Sequence, residues 1–296
     1  MSRSEIQPNA RWAFARYRAL DHLMPPKPGF PPFSAPIGTL EDVFHRYDGF
    51  ILDAYGVLNK GEDVIPSALE RIARMRAAGK RLVILSNAAT YTVEAAVQRF
   101  ARWGFDFTMD EVLTSRQIAA EEMARRPIRW AAIAPAGARF DDLPGEVVAL
   151  DAAALDSAEG FVFLSSQEWD AAQQAQLAEA LRARPRPVLV ANPDVVAPRE
   201  TGFSWEPGHF AADLPGEKIW VGKPHRRAFE LALARLDLPA KRVAMVGDTL
   251  HTDILGGKAA GCFTVMIAGH GFFAGVDPQP YIAASGIIPD FIAATT

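Results

Sequence analysis

The chain has 296 residues, of which 49% are hydrophobic and 10% aromatic, and this is enough apolar material for about two domains with buried cores. Lysine and arginine number 31 against 35 aspartate and glutamate, a balance that gives no general support to a nucleic-acid or acidic-membrane partner. A single cysteine, Cys262, excludes an internal disulfide and a thiolate metal cluster. Because no secretory apolar core and no run of about 20 apolar residues is present, we expect a soluble cytoplasmic protein.

The first 36 residues differ from the rest and are predicted to be an N-terminal arm. A helical pattern runs from Ala10 to Met24 and gives way to a proline-rich segment, which is typical of a tether. The helix carries basic and aromatic residues, namely Arg11, Trp12, Phe14, Arg16, Tyr17 and Arg18. These could form a binding surface, but we favour an amphipathic helix that packs on its own domain or on a second subunit.

From Gly49 onward, short apolar runs alternate with helical patterns, as parallel strands covered on both faces require. In chain order, the predicted elements are strand 50–52, helix 66–78, strand 82–85, a helix that ends before residue 104, strand 219–221, a helix that opens at residue 224, strand 243–246, helix 252–260 and strand 263–267. Such repeated strand–helix units predict an α/β fold with a doubly wound parallel sheet. This Rossmann-like core is assigned to residues 37–125 and 208–296.

A second set of strands lies between these two blocks and predicts an inserted α/β domain at residues 126–207. Its strands are predicted at 130–134, 147–150, 161–164 and 188–191. Ser165 and Glu168 have the spacing of a capping box, which predicts that a long helix starts there and runs through Leu181. A segment of this length with its own strands is too long for a structureless loop.

Four polar residues stand at the carboxyl ends of predicted strands: Asp53, Ser86, Lys223 and Asp248. Ligands of open α/β sheets bind outside these ends, so residues from distant parts of the chain can converge on one site. Each residue alone could instead be a helix N-cap. That alternative fails for Lys223, because a cation at a helix N-terminus is unfavourable unless an anion is bound there. The joint pattern therefore indicates a site.

Two carboxylates, a hydroxyl and an ammonium group suit phosphoryl transfer assisted by a metal. Mg²⁺ prefers oxygen ligands and commonly binds one or two carboxylates beside a substrate phosphate, so Asp53 and Asp248 are candidate ligands. Lys223 and Ser86 would neutralise the phosphoryl oxygens. A carboxylate can also attack phosphorus. Asp53 is the better placed for attack, because the turn from Asp53 to Gly56 can direct backbone amides at a phosphate.

Four segments in chain order resemble the four motifs of the haloacid dehalogenase superfamily. They are residues 51–58 (ILDAYGVL), 85–87 (LSN), 221–224 (VGKP) and 247–257 (GDTLHTDILGG). The form of the last two, the triplet at 192–194 and the place of the insert between the second and third motifs are similar to the class IIA branch of capped phosphatases. The resemblance covers residues 40–296 and implies a phosphatase-type hydrolase with a cap and a small-molecule substrate. From the charge balance we expect no nucleic-acid or membrane partner.

The resemblance also implies roles for the acidic residues. Asp53 would be the nucleophile and a Mg²⁺ ligand, Tyr55 would offer its backbone carbonyl to the metal, and Asp248 would complete the protein ligands. Asp253 would orient a metal-bound water or Lys223. For Asp253 an alternative stays open, that of an exposed carboxylate in a first helical turn, where the helix dipole favours it.

The remaining implied roles concern the substrate. Ser86, Asn87 and Lys223 would bind the transferring phosphoryl group, and Lys223 would also steady the Asp53 carboxylate. Asn192 and Asp194 would lie on a cap loop near the substrate, although Asn-Pro-Asp is also an ordinary turn. Relatives of this branch often pair through their caps, so a homodimer is possible.

Tyr55 departs from the family pattern, in which an aspartate at this position is the general acid for the leaving alcohol. A phenol is a poor proton donor near neutral pH, and general acid catalysis contributes about 10² to 10⁴ in rate. We therefore predict slow hydrolysis of alkyl phosphates and a preference for acyl phosphates, pyrophosphates or aryl phosphates. His251, His225 and His209 are candidate replacements for the acid, although a histidine in such a region more often packs than catalyses.

Two alternative functions remain open. The Asp-x-Tyr-Gly form of the first motif is also similar to the dehalogenase branch, in which Asp53 would attack carbon and displace halide without a metal. The intact segment from Gly247 to Asp253 and the place of the insert favour the phosphatase. The second alternative is a catalytically weakened protein that keeps its phosphate pocket as a sensor.

Overall fold

The computed structural model describes residues 8–296. Its α-helices in chain order are α1 (Ala10–Ala19), α2 (Ala68–Ala77), α3 (Val93–Arg102), α4 (Ser115–Ala124), α5 (Ala152–Ser157), α6 (Ala171–Ala183), α7 (Pro207–Ala211), α8 (Arg226–Leu236), α9 (Leu255–Ala259) and α10 (Gln279–Ser285). Its strands are β1 (Ala35–Thr39), β2 (Gly49–Leu52), β3 (Asn59–Lys60), β4 (Asp63–Val64), β5 (Arg81–Ser86), β6 (Val112–Thr114), β7 (Trp130–Ile133), β8 (Val147–Ala149), β9 (Gly160–Phe163), β10 (Val188–Val190), β11 (Val196–Pro198), β12 (Phe203–Trp205), β13 (Lys218–Trp220), β14 (Val243–Gly247), β15 (Phe263–Ile267) and β16 (Phe291–Thr295).

The larger sheet has seven parallel strands in the order β1-β16-β15-β14-β2-β5-β6. Strand β2 lies in the middle, with β5 and β6 on one side and the later strands on the other. The direction of winding therefore switches between β2 and β14, and open sheets bind ligands at such a switch point. The predicted doubly wound α/β fold is confirmed.

Both faces of this sheet are covered, which explains why its strands are apolar at successive positions. All four residues of β2 are buried. Phe50 and Leu52 pack in one apolar cluster, while Ile51 points into another. The flanking helices end as their glycines predict: Gly79 follows α2 with φ +67° and Gly104 follows α3 with φ +92°.

The smaller sheet has five parallel strands in the order β13-β10-β9-β7-β8, and forms the predicted second α/β unit. Helices α6 and α7 contribute to the apolar cluster on one of its faces. The opposite face, with Trp130 and Val162, shares a cluster with Ile51 and Val83 of the larger sheet. The two sheets are therefore joined through continuous packing.

The expected place of strand 219–221 in the larger sheet is wrong. Strand β13 lies at the edge of the smaller sheet and pairs with β10, in the register Leu189↔Ile219. A run of three apolar residues fits either sheet equally well, so its partner is decided by tertiary contacts. By sheet membership the chain leaves the second unit after Trp220. The division of the chain into domains at residues 125, 126, 207 and 208 stays a prediction.

The predicted start of the long helix is also wrong. Helix α6 begins at Ala171, and its capping box consists of Asp170 and Gln173. Ser165 instead accepts a hydrogen bond from the Gln167 amide, and Glu168 accepts one from the amide of Ala136. Two sequences close together in the chain fit the capping rule, and only the second is followed directly by helical residues.

The N-terminal helix packs on its own chain. Helix α1 buries Ala10, Ala13 and Tyr17, and a 3₁₀ turn continues it over Asp21–Leu23. The predicted arm overlaps the larger sheet, because β1 starts at Ala35 and pairs with β16. Within residues 8–296, no helix is both long enough and apolar enough to cross a membrane.

Candidate active site

Three of the predicted site residues lie at the ends of neighbouring strands. Asp53 follows β2, Ser86 ends β5, and Asp248 follows β14. The amide of Asp53 donates to the carbonyl of Val246 at 2.9 Å, which brings the ends of β2 and β14 together. None of the three is an N-cap, because the caps of the following helices are the later residues Ser67, Thr92 and Thr249.

A cavity of about 710 Å³ opens over these strand ends and reaches the second unit. Seven of the predicted site residues line it, namely Asp53, Tyr55, Ser86, Asn87, Asn192, Asp194 and Asp248. Lys223 and Asp253 lie behind this surface, with 2% and 0% of their side chains exposed. The structure therefore gathers the predicted residues around one space.

Lys223 joins the nucleophile candidate to the last motif. Its Nζ lies 2.6 Å from Oδ1 of Asp53 and 2.8 Å from Oδ1 of Asp253. Burial opposes the charged ammonium, but the Asp253 and Asp53 carboxylates outweigh it and raise the pKa of Lys223 above its ordinary value. Lys223 is therefore a fixed positive charge beside Asp53.

The three carboxylates of Asp53, Asp248 and Asp253 each place an oxygen within 4.8 Å of the others. Burial raises the pKa of Asp53 to about 7, against the opposing charge of Lys223. Burial also raises the pKa of Asp248 well above its ordinary value, and the charges of Asp253 and Asp53 raise it further. A cation among these oxygens would relieve the repulsion, and hard oxygen donors suit a divalent ion. The residues present therefore fit a divalent metal.

Backbone amides orient two of these carboxylates. Oδ2 of Asp248 accepts from the amide of Phe272 at 2.7 Å, and its Oδ1 accepts from the hydroxyl of Thr249 at 2.8 Å. Oδ2 of Asp253 accepts from the amides of Asp248 and Thr249 at 3.2 and 3.0 Å. Asp253 is fully buried, so the alternative of an exposed first-turn carboxylate is wrong.

Two glycines leave room for Asp248. Gly56 has φ +75° and Gly271 has φ +69°, a region that side chains rarely adopt. A Cβ atom on either residue would overlap the Asp248 carboxylate. The turn after β2 and the loop after β15 can therefore approach the acidic group only because both positions lack a side chain.

Asn87 connects three segments of the site. Its Oδ1 accepts from the Lys223 amide at 2.7 Å, while its Nδ2 donates to the Lys223 carbonyl at 3.0 Å and to Oδ1 of Asp194 at 2.8 Å. With these bonds made, Asn87 positions Lys223 and Asp194. Its predicted contact with the phosphoryl group stays a prediction.

The triplet at 192–194 is both a turn and part of the cavity wall. Oδ1 of Asn192 accepts from the amide of Asp194 at 2.9 Å, as in an ordinary Asx turn, and its Nδ2 donates to Glu206 at 3.0 Å. Burial raises the pKa of Asp194 to about 8, although Lys223 opposes this shift. The segment 192–194 therefore forms an ordinary turn and also lines the cavity.

Comparison with known proteins assigns the family. The family model described as haloacid dehalogenase-like hydrolase matches residues 50–139, and the model described as HAD-hydrolase-like matches residues 220–293. The chain belongs to the haloacid dehalogenase superfamily. Its relatives place it in the class IIA branch of that superfamily, as a hydrolase of phosphatase type.

Several named proteins are similar over most of the chain. Human chronophin is 29% identical over 77% of this chain and 83% of its own length. The ribonucleotide monophosphatase NagD of Escherichia coli K12 is 29% identical over 78% of this chain and 92% of its own. The p-nitrophenyl phosphatase structure from Archaeoglobus fulgidus is 26% identical, with a TM-score of 0.71, covering 84% of this chain and 96% of that one.

Tyr55, the residue that departs from the superfamily pattern, contacts two arginines. Its hydroxyl oxygen accepts from Nη1 of Arg199 at 3.3 Å and from Nη2 of Arg99 at 3.5 Å. Arg199 lies over the Tyr55 ring and is fixed by Ser204 at 2.8 Å and by Glu206 at 3.1 Å. No sequence motif marks these two arginines or Glu206, because Arg199 and Glu206 reach the cavity only through the pairing of β11 with β12, and Arg99 reaches it from helix α3.

The three histidines considered as replacement acids contact other parts of the haloacid dehalogenase fold. Burial lowers the pKa of His225 and of His251 to about 4, and the His251 ring stacks on Tyr17. His209 packs between Trp12 and Trp205. None of the three is among the described residues that line the cavity.

Proposed function

We propose that this protein is a Mg²⁺-dependent phosphohydrolase that cleaves a small phosphorylated metabolite through an aspartyl phosphate on Asp53. The observation that carries the proposal is the meeting of three buried carboxylates with the Lys223 ammonium at a cavity of about 710 Å³. The names of similar proteins, which include a ribonucleotide monophosphatase and a p-nitrophenyl phosphatase, support it.

Asp53 would attack the phosphorus atom through Oδ2. Its Oδ1 accepts from the Ala54 amide at 2.8 Å and contacts Lys223, so Oδ2 remains for attack. The bond from Oδ2 to phosphorus forms as the bond from phosphorus to the leaving oxygen breaks. Water would then attack phosphorus, release inorganic phosphate and a proton, and restore the carboxylate.

The other residues would bind and orient the phosphoryl group. Lys223 and Ser86 would contact its oxygens, and Lys223 would keep Asp53 in place through their ion pair. Asp53, Asp248 and the Tyr55 carbonyl would hold Mg²⁺, with Asp253 orienting Lys223 and the amides of the last motif. When bound, the cation neutralises the charge of the transferring group.

The leaving group would depart without much protonation. Tyr55 replaces the acidic residue, and its oxygen already accepts from two guanidinium groups. The three histidines do not line the cavity. Acyl phosphates, pyrophosphates and aryl phosphates therefore fit better than alkyl phosphates, because their leaving groups are stable as anions.

A substrate screen tests the proposal. Release of phosphate would be measured from alkyl, acyl and aryl phosphates, and release of halide from 2-haloacids, each with Mg²⁺ or with a chelator. We expect phosphate release from the activated esters only with Mg²⁺. Asp53→Asn should fold and lose turnover by a factor on the order of 10⁴ or more, whereas the exposed Asp63→Asn serves as the matched control.

The two alternatives give different results in the same screen. Release of halide without metal would establish a dehalogenase. Stoichiometric formation of an aspartyl phosphate without turnover would establish a sensor. The homodimer and the cytoplasmic location stay predictions, and light scattering of the purified chain tests the first.

A further inference from the structure

The N-terminal helix α1 contacts the second unit on one side. The Trp12 ring meets Trp205 of β12 edge to face, with 4.4 Å between ring centroids. Nη2 of Arg16 donates to the carbonyl of His209 at 3.0 Å and forms an ion pair with Asp213 at 2.7 Å. These contacts attach the arm to the part of the chain that carries Glu206 and the β11–β12 hairpin.

The same helix contacts the larger sheet unit on its other side. The Phe14 ring packs on His251 at 5.5 Å and on Tyr281 of α10 at 4.9 Å. Arg18 donates to the carbonyl of Ala284, and Lys27, which follows the helix in the chain, donates to the carbonyl of Ser285 at 3.2 Å. One short segment of chain therefore bridges the two units that face each other across the cavity.

Tyr17 lies at the centre of this bridge and is 1% exposed. Its ring stacks on His251 with 4.9 Å between centroids and 6° between planes. Its hydroxyl oxygen accepts from the backbone amide of Val195 at 3.1 Å. Burial raises the pKa of Tyr17 well above its ordinary value, so the hydroxyl stays neutral near pH 7.

The two partners of Tyr17 lie in segments that carry site residues. His251 lies between Asp248 and Asp253, while Val195 directly follows Asp194. The tyrosine itself is not among the described residues that line the cavity, so it acts on the site only through these neighbours. A phenylalanine could keep the stacking, but only a hydroxyl oxygen can accept from the Val195 amide.

We propose that the arm segment 10–27 is an intramolecular strap and that Tyr17 is a positioning residue, which fixes the segment 192–196 relative to the segment 248–254. The strap thereby sets the separation between the substrate side and the metal side of the cavity. Its catalytic consequence rests on the proposed phosphohydrolase function. Its structural consequence does not depend on that function, because replacing Tyr17 by phenylalanine removes the acceptor of the buried Val195 amide whatever reaction the protein catalyses.

The experiment compares Tyr17→Phe with the full-length parent. We expect the Val195 amide to exchange its hydrogen about five to a hundred times faster, because a buried amide without an acceptor opens more readily. On 4-nitrophenyl phosphate with Mg²⁺, we expect KM to rise about tenfold and kcat to change little, because Asp53 and Lys223 keep their contacts.

Tyr47→Phe is the matched control, since it removes a hydroxyl from another buried tyrosine, which packs on Phe50 and Phe263. It should change neither the exchange rate nor KM. Arg16→Met removes only the contacts of Arg16 with the second unit, and it should raise both the exchange rate of the Val195 amide and KM. The test therefore does not depend on the folding of one variant.

Unchanged exchange at Val195 in both strap variants would overturn the proposal. Equal losses of kcat and stability in Tyr17→Phe and Tyr47→Phe would also overturn it, because they would indicate a general packing role. If no phosphohydrolase activity exists, the exchange rates alone decide, so failure of the strap and failure of the proposed function remain distinguishable.

Discussion

The two sides of the cavity are built differently. On the side of the larger sheet, Asp53 and Asp248 are fixed by strand ends, and backbone amides orient Asp248 and Asp253. On the side of the smaller sheet, Asn192 and Arg199 are fixed largely by other side chains, Glu206 in particular. The first arrangement depends on the backbone fold, and the second depends on the identity of a few interacting side chains.

This difference indicates how each side can change. A residue whose backbone amide orients a carboxylate tolerates substitution of its side chain, provided that the backbone conformation is unchanged. A network of charged side chains changes whenever one member does, so the smaller-sheet side can acquire a new specificity through few substitutions. We therefore expect the chemistry to reside on the first side and substrate choice on the second.

Tyr55 connects the two sides of the cavity, because its backbone follows β2 of the larger sheet and its hydroxyl contacts Arg199 on the smaller-sheet side. Substitution of Tyr55 gives the largest expected effect on activity. If the missing acid limits alkyl phosphate hydrolysis, Tyr55→Asp should accelerate those substrates by about 10² to 10⁴. Substrates with good leaving groups should barely change. The measurement is the dependence of kcat/KM on the pKa of the leaving group, which should flatten.

Tyr55→Phe separates the two roles of this residue. It keeps the ring beneath Arg199 and removes the hydroxyl that accepts from both arginines. It should leave the leaving-group dependence as it is in the parent. A stably folded Tyr55→Asp protein with the parental slope would mean that the proton comes from another residue or that the natural reaction needs none.

Gly271→Ala should damage the larger-sheet side with an intermediate effect. Its Cβ would lie 2.7 Å from both Cγ of Asp248 and Cα of Gly56, so the carboxylate must move. Because a displacement of about 1 Å can cost about 10² in rate, we expect kcat/KM to fall by about that factor and metal affinity to fall with it. Steady-state kinetics over a range of Mg²⁺ concentrations measures both.

Gly275→Ala is the control for backbone strain. Gly275 has φ +73°, close to the φ of +69° at Gly271, but no atom of residues 8–296 outside its chain neighbours lies within 4 Å of its added Cβ. Both variants should lose about 1–2 kcal/mol of stability from the left-handed conformation. Equal losses of activity in the two would contradict the role assigned to the Asp248 contact.

The smallest expected effect concerns Asp194 and the pH dependence of stability without metal. Burial raises the pKa of Asp194 to about 8, so between the ordinary aspartate range and pH 8 the folded state binds more protons than the unfolded state. Stability therefore falls as pH rises through that interval. Asp194→Asn should reduce the fall between pH 5 and pH 8, measured by denaturant unfolding in a chelator.

The exposed Asp141→Asn is the comparison for this experiment, and it should leave the slope unchanged. Asp53 contributes to the slope in the same direction, because burial raises its pKa to about 7. A slope in Asp194→Asn equal to that of the parent would contradict the raised pKa of Asp194.

How far the sequence predicts this molecule differs between the same two regions. The strand ends were predictable because Asp53, Ser86 and Asp248 follow apolar runs directly, and the geometry of a parallel sheet brings such ends together. Lys223 was predicted to reach the site, yet its preceding strand lies in the other sheet. The sequence therefore predicted that Lys223 lies in the site, but it did not predict that the preceding strand β13 pairs with β10.

The smaller-sheet side was less predictable for a physical reason. Arg199 directly follows β11 and Glu206 directly follows β12, so both lie in loops of a two-stranded hairpin. Charged residues are common in such loops and carry no periodic signal. Arg99 is on helix α3 and resembles any surface arginine until Tyr55 is placed beside it. For α1, the favoured prediction was an amphipathic helix that packs on its own domain or on a second subunit, and the choice between these two stayed open because an amphipathic pattern does not identify the surface that covers it.

The pairing of β1 with β16 has a consequence for synthesis of the chain. Strand β1 ends at residue 39, but its neighbour in the sheet begins at residue 291, so nearly the whole chain must leave the ribosome before this edge can pair. Until then β1 exposes unpaired backbone groups that could join a wrong partner. Because α1 precedes β1 in the chain and packs on the late residues His251 and Tyr281, attachment of the arm is expected to be among the last folding events.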